Sequence, residues 1–414
     1  MAPILTLLLA ALPAPAQAYR LEPGDVVIAD STDPLSQRHG EIRILRRRGG
    51  VHTVPTSAPL RFPGDVIVDR DGWLAVTEWG VFFSGVYRID PATGDLVAAN
   101  LQSLEEPFQL CRDAAGDFLV ADSYHGVVRI DESGQATVFS PAADPGDIAI
   151  GILLAPSGSP VVSEAPQAGS SRPGQIFRLD PAGNRTLLVQ DPLLPFPNGI
   201  ALAADGSLLA TDLDPYPSPH AHHGLVRVDR SGRAARIAWN SLRAPKDVEL
   251  LLPGLALVSD VDDESVLAVR PDGSARRVVA EQQDGDPGNG LPVDRPFGLA
   301  VVPWLWLTTP LIAAAGSPAS ITVRTLPEFA GTMLVLAVST HREAFPLDRI
   351  WPGDPQTAAV DPLRSVLYRQ RLPATGEARF PIPVPASLAG RTLQLQAFLA
   401  GRRLLSNAVS LPVR

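Results

Sequence analysis

The chain is 414 residues long and 45% apolar, with 44 acidic and 35 basic residues and a formal net charge of −9. That length accommodates two or three domains with buried cores and excludes global disorder. The acidic balance gives no electrostatic reason to bind nucleic acid or anionic lipid. The 42 prolines and 34 glycines are spread along the chain, which excludes a helical bundle and predicts many short strands joined by tight turns.

Residues 1–18 read as a secretory signal. The apolar run Ile4 to Leu12 is too short to span a bilayer, and Ala16-Gln17-Ala18 fits a small-residue cleavage site before Tyr19. A secreted, periplasmic or cell-envelope location is expected. No later segment reads as a membrane span, since residues 299–315 are interrupted by Pro303 and Pro310. The single cysteine, Cys111, excludes an intrachain disulfide and a cysteine-based metal site, and reads as a small buried hydrophobe.

From Gly24 onward one pattern recurs six times: a glycine, a short apolar run and an acid. The copies end at Asp30, Glu78, Asp122, Glu164, Asp212 and Asp260. From the second copy on, the glycines (Gly72, Gly116, Gly158, Gly206, Gly254) are 44, 42, 48 and 48 residues apart. A second pattern follows each copy, as in Gly85-Val-Tyr-Arg-Ile-Asp90 and Gly126-Val-Val-Arg-Ile-Asp131. A glycine-containing turn and a further short strand come next, and another apolar run precedes each glycine. Each unit is thus four antiparallel strands, which is a propeller blade. The run Pro296 to Val302 has no Gly-to-acid strand after it, and the strand at Gly24 has no run before it. Joining the two predicts an all-β, six-bladed β-propeller over residues 19–304, closed by exchange between the chain ends. The recurring acids are expected to cap the turn that follows them.

Two lines carry a resemblance: Pro197-Asn-Gly-Ile-Ala-Leu-Ala-Ala-Asp-Gly206, and Phe108-Gln-Leu continuing through Gly116 to Asp131. They resemble NHL-type repeats and the related senescence-marker-protein/gluconolactonase propellers, over about seventy per cent of the chain. The architecture hosts lactonases, lyases and pure binding modules alike.

Residues 308–414 carry no copy of the repeat but alternate like strands, and their net charge of +5 contrasts with −14 for residues 1–307. A small immunoglobulin-like β-sandwich domain is expected, with Leu393-Gln-Leu-Gln396 giving one buried and one wet face.

The starts of the inner strands are the expected ligand site, at one mouth of the channel. Asp65, Asn198 and Asp247 offer three hard oxygen donors there, a set suited to calcium rather than zinc. The resemblance implies a divalent ion held by an acid, an Asn in an Asn-Gly start and an Asp that doubles as general base. Asn198-Gly199 matches; Asp65 stands in Gly-Asp rather than Glu-Gly, and Asp247 stands one residue late with Lys246 in the slot. Lys246, the chain's only lysine, is a candidate base or imine-forming nucleophile, or else an ion-pair partner of Asp247 or Asp65. Glu249 replaces an otherwise small or apolar residue and needs a partner or water.

Gln109, Asp147, Trp79 and Tyr124 are candidate ligand-binding residues, the aromatic ones by stacking on a flat ligand. His220 and His222, in the loop from Asp214, are candidate ligands for a metal or small molecule. His39, His125 and His223 fill a repeated turn slot. No serine-hydrolase elbow, phosphate loop or dinucleotide fingerprint is present. Two functions follow as expectations. The first is an exported, monomeric binding module for a small molecule, carbohydrate or protein, acting through the channel mouth. The alternative is a calcium-dependent lactonase-type hydrolase using Asp65, Asn198 and Asp247.

Overall fold

The computed structural model describes residues 20–414 apart from 32–38, 48, 70, 80–83, 101–103, 114, 168–169, 171, 204, 214–222, 239–240, 253, 281–292, 294, 304, 310–312, 326–328, 341–344, 347–356, 359–364, 400–403 and 407–408. The signal expected at 1–18 and the candidates His220 and His222 lie outside the described residues.

The protein is all-β and built of repeated four-stranded antiparallel sheets, consistent with a propeller fold. Among the described residues six sheets have the repeat's four strands. Sheet one joins the chain ends: Arg295–Val301 pairs with Val26–Ser31, followed by Glu41–Leu45 and Val51–Val54. The inner strands of sheets two to six are Pro63–Val68, Pro107–Arg112, Ile148–Leu154, Pro197–Leu202 and Pro245–Leu252. Each lies against the next, and Pro245–Leu252 lies against Arg295–Val301, so the six inner strands form a closed cycle.

Burial follows from this arrangement. Second strands such as Leu74–Glu78, Phe118–Asp122 and Leu208–Asp212 are buried at every position, because neighbouring sheets cover both faces, and their first three residues are accordingly apolar. Fourth strands such as Ala136–Ser140 and Ala234–Ala238 are the least buried, with two exposed and two half-buried positions before a buried last residue. Turns between the first and second strands use glycines at φ near +90°, Gly72 (+93°) and Gly116 (+99°) among them, a region that costs other residues strain.

The recurring acids hold the loop leading into each inner strand. Glu78 Oε1 accepts from Arg61 N and Phe62 N, Asp212 from Phe196 N, Asp260 from Arg243 N and Ala244 N, and Asp30 from Arg295 N. The cap on the following turn is present at Asp122, which accepts from Tyr124 N and His125 N and also contacts His125 Nδ1 at 2.8 Å. It is also present at Asp260, which accepts from Asp263 N. A buried carboxylate here meets more orphaned N–H groups from the preceding loop than from the following turn.

After Val301 the chain passes into separate sheets. Leu305–Thr308, Pro318–Thr325 and Glu377–Pro383 form one; Val366–Arg371, Met333–Ser339, Thr392–Leu399 and Val409–Pro412 belong to another. Their apolar core draws only on residues 307–413. The wet face expected for Leu393 to Gln396 is a correction: Gln394 and Gln396 are both buried. Gln396 Nε2 donates to Ser406 O at 3.0 Å and Ser406 Oγ accepts from Ala397 N, so the segment around Ser406 covers Gln396 and pairs its amide. Among the described residues no helix is long and apolar enough to cross a membrane.

Candidate functional site

Every inner strand begins with a bulge. Register slips between Pro63 and Asp65, Pro107 and Leu110, Ala149 and Ile152, Pro197 and Ile200, and Pro245 and Val248. A bulge re-aims the residues it contains. Here it yields two tiers of side chains, Gly64, Phe108, Ile150, Asn198, Lys246 and Phe297 above, and Asp65, Gln109, Gly151, Gly199, Asp247 and Gly298 below.

The lower tier stitches the ring together. Asp65 Oδ2 accepts from Leu110 N of the next sheet at 3.0 Å, Gln109 Oε1 from Ile152 N at 3.1 Å, and Asp247 Oδ2 from Leu299 N at 2.7 Å. Gln109 Nε2 then donates to Asp247 Oδ1, joining sheets three and six, which stand opposite in the cycle. The glycines make room: a Cβ at Gly199 would meet Asp247 Oδ1 at 2.5 Å, and one at Gly298 would run into Asp65. Hydroxyls one residue before the recurring acids add a second set of stitches. Thr77, Ser163, Thr211 and Ser259 donate to the carbonyls of Phe108, Asn198, Lys246 and Phe297, all in the upper tier of the next sheet. In the sequence these residues stand as a repeated Thr/Ser-Asp/Glu pair at the end of the second strand.

Burial holds the channel acids uncharged more readily than usual. Asp65 is pushed well up by burial and then by the Asp247 charge. Asp247 is raised to about 6 by burial, and Glu249 to about 8 by burial and then by Asp247. These contacts do not fit a calcium cage. Asp247 spends its oxygens on Gln109, Val248 N and Leu299 N, Asn198 Nδ2 donates to Phe196 O, and no hydrogen bond joins Asn198 to either acid. Among the described residues no three His, Cys, Asp or Glu side chains stand at metal-binding spacing. Asp247 thus accepts three hydrogen bonds, two at Oδ1 and one at Oδ2. Asp147 is likewise committed, accepting from Gln167 N and pairing with Arg172.

The upper tier is different. Phe62, Trp79 and Phe297 form an aromatic cluster, with Phe62 and Trp79 centroids 5.1 Å apart and Trp79 and Phe297 6.3 Å apart. Gly64 gives the indole its place, since a Cβ there would meet Trp79 Cδ1 at 3.2 Å. Lys246 Nζ lies 5.4 Å from the centre of the Phe297 ring, a cation–π distance. Among the described residues it has no ion-pair partner. The adjacent Asp247 is already engaged, and Asp262 and Glu106 act on it only electrostatically. Burial, with Arg295 adding to it, lowers the ammonium to about 8. Trp79 Nε1 is buried and has no hydrogen-bond partner among the described residues. Tyr124 stands 69% exposed on the turn after Asp122, outside this cluster's ring contacts.

No family model matches the chain, and no curated protein matches it. Among solved structures it is similar to virginiamycin B lyase from Staphylococcus aureus (14% identity, TM-score 0.45, 61% of this chain and 83% of that one). A streptogramin B lyase gives 13% identity and a TM-score of 0.46, over 70% of this chain and 89% of that one. A gluconolactonase from Xanthomonas campestris gives 14% identity and a TM-score of 0.45, over 66% and 89%. Likeness at this level assigns no activity, ligand or residue role to this chain.

Chemically, these residues present two hydrogen-bond donors, one of them cationic, beside an aromatic cluster. Sequence reasoning found Lys246 and Trp79 separately. Their meeting around Phe297 joins residues far apart in the chain, which only the ring geometry supplies.

Proposed function

We propose that this chain is an exported, monomeric six-bladed β-propeller with a C-terminal β-sandwich, acting as a binding module for a small carboxylate-bearing ligand at the channel mouth. The observation that carries this reading is the pair of unpartnered donors, Lys246 Nζ and Trp79 Nε1, on the Phe62–Trp79–Phe297 cluster. A buried donor such as Trp79 Nε1 left without an acceptor costs about 1–3 kcal/mol, so an acceptor supplied by a ligand recovers that cost on binding, while the half-buried Lys246 contributes its charge. A carboxylate offers two acceptors and the complementary charge, and the rings cover an apolar or flat body. Export is supported by the signal-like residues 1–18, and the binding role by a lower tier whose acids are occupied in holding the ring together.

Titration calorimetry with a panel of small carboxylates, benzoate and sugar acids among them, checks this. Lys246→Met is expected to weaken binding by at least about tenfold, and Trp79→Phe, which removes only the N–H and part of the ring, by several-fold. Affinity should fall as pH rises through 8, where the ammonium loses its charge. Equal affinity in all three proteins, or uptake of neutral sugars only, would overturn the reading.

A further inference from the structure

We infer that Lys246 holds carbonyl ligands covalently, as an imine, and that 2-oxo acids are the ligand class of the channel mouth. This deepens the binding reading above and rests on it. Three features of the site point this way.

The first is the absence of a counter-ion. An ε-amine becomes a nucleophile when nothing fixes its proton, and no carboxylate lies within ion-pair distance of Nζ among the described residues. The nearest acid in sequence, Asp247, is turned into the lower tier and held there by Gln109, Val248 N and Leu299 N. The second feature is the apolar face of Phe297 beneath Nζ, itself packed against Leu213, Ala244 and Val261, which withholds the water that stabilises an ammonium. With the ammonium lowered to about 8, roughly a quarter of the amine is free at pH 7.5, against about a thousandth for an ordinary lysine.

The third feature is the buried Trp79 N–H, which has no acceptor among the described residues and belongs to an indole whose ring centre lies 6.3 Å from that of Phe297. Phe297 is the common neighbour of both donors, so we place the ligand carboxylate at Trp79 and its 2-carbonyl carbon toward the amine. An aldehyde or ketone without a carboxylate lacks that anchor.

The step balances without an outside oxidant or reductant. The Nζ lone pair forms the new bond to the carbonyl carbon while the C=O π pair moves to oxygen, which takes a proton and gives a carbinolamine. That oxygen then leaves as water. The two hydrogens of the water are those the neutral amine carried, and the C=N bond takes their place on nitrogen. Protonation of the imine restores a cation over the Phe297 ring, so the stacking contact survives the reaction.

The test treats the full chain at pH 7.5 with pyruvate and cyanoborohydride, which reduces the imine to a stable secondary amine, and maps the product by peptide mass spectrometry. Because Lys246 is the only lysine, the chain's α-amine is the sole competing primary amine. Its ordinary pKa of about 7.7–8.0 gives it a similar free fraction, so excess labelling at Lys246 reports the site rather than basicity. Lys246 is expected to label at least about tenfold faster than the α-amine with pyruvate, from the proximity the carboxylate anchor supplies. That excess should disappear with acetone and fall several-fold in Trp79→Phe, and lactate should compete. Labelling of Lys246 no faster than the α-amine, while lactate binding still depends on Lys246, would overturn the imine and leave the binding reading standing. If lactate also fails to bind, both fall.

Discussion

Lys246→Met should raise the stability of the protein at pH 7 while abolishing carboxylate binding. Burial holds the folded-state pKa of Lys246 near 8, against 10.5 in the unfolded chain. The unfolded state therefore binds the proton more tightly, and the cost to the folded state is complete below pH 8 and gone above 10.5. At 1.36 kcal/mol per pH unit that cost is about 3 kcal/mol as an upper figure, and methionine removes it while keeping an unbranched chain over Phe297. Calorimetric melting at pH 7 and at pH 10.5 checks the sign. The variant should melt higher at pH 7, and the two proteins should converge at the higher pH. A residue whose removal stabilises the fold and destroys binding is one retained for function.

Glu249→Gln carries the second large effect, with the opposite pH dependence. Glu249 titrates near 8 in the folded protein and near 4.5 unfolded, and Asp247 and Asp65 are raised in the same direction. Here the folded state binds the proton more tightly. The stability this supplies is fully present below about 4.5 and is lost as pH rises through 8, so wild-type stability declines across that window. The neutral amide removes Glu249's share of the decline. Glu249→Gln is expected to match the wild type at pH 4.5 and to exceed it by roughly 3–5 kcal/mol at pH 9. Chemical denaturation at the two pH values measures the difference, and an equal offset at both would show that Glu249 acts through packing rather than charge.

Much of the architecture was legible because a repeat fixes strand boundaries several times over. The glycine-to-acid runs, the third-strand Gly-x-x-Arg pattern and the unmatched strands at the two ends of the repeat lead to the four-stranded sheets and to the pairing of Arg295–Val301 with Val26–Ser31. The site was less legible, for a local reason. A regular strand would send Lys246 and Asp247 to opposite faces, but the bulge breaks the simple alternation and assigns the acids to stitching between sheets. The spacing of Asp65, Asn198 and Asp247 therefore suggested a metal set, although each polar group has a backbone partner that no linear pattern displays. The Thr/Ser residues ahead of the recurring acids were visible as a repeat, and their inter-sheet role was readable in principle. The burial of Gln394 and Gln396 was not, because strict alternation says nothing about a later segment folding over the polar face.

The central claim is that the channel mouth holds a half-buried ammonium, without an ion-pair partner among the described residues, poised for an anionic ligand. It is tested most directly by nuclear magnetic resonance of the protein labelled at lysine, which gives a single side-chain signal because Lys246 is alone. The account predicts a titration midpoint near 8 that moves upward when a small carboxylate is added, since a bound anion favours the charged amine. A midpoint near the ordinary 10.4, unmoved by any carboxylate, would contradict it.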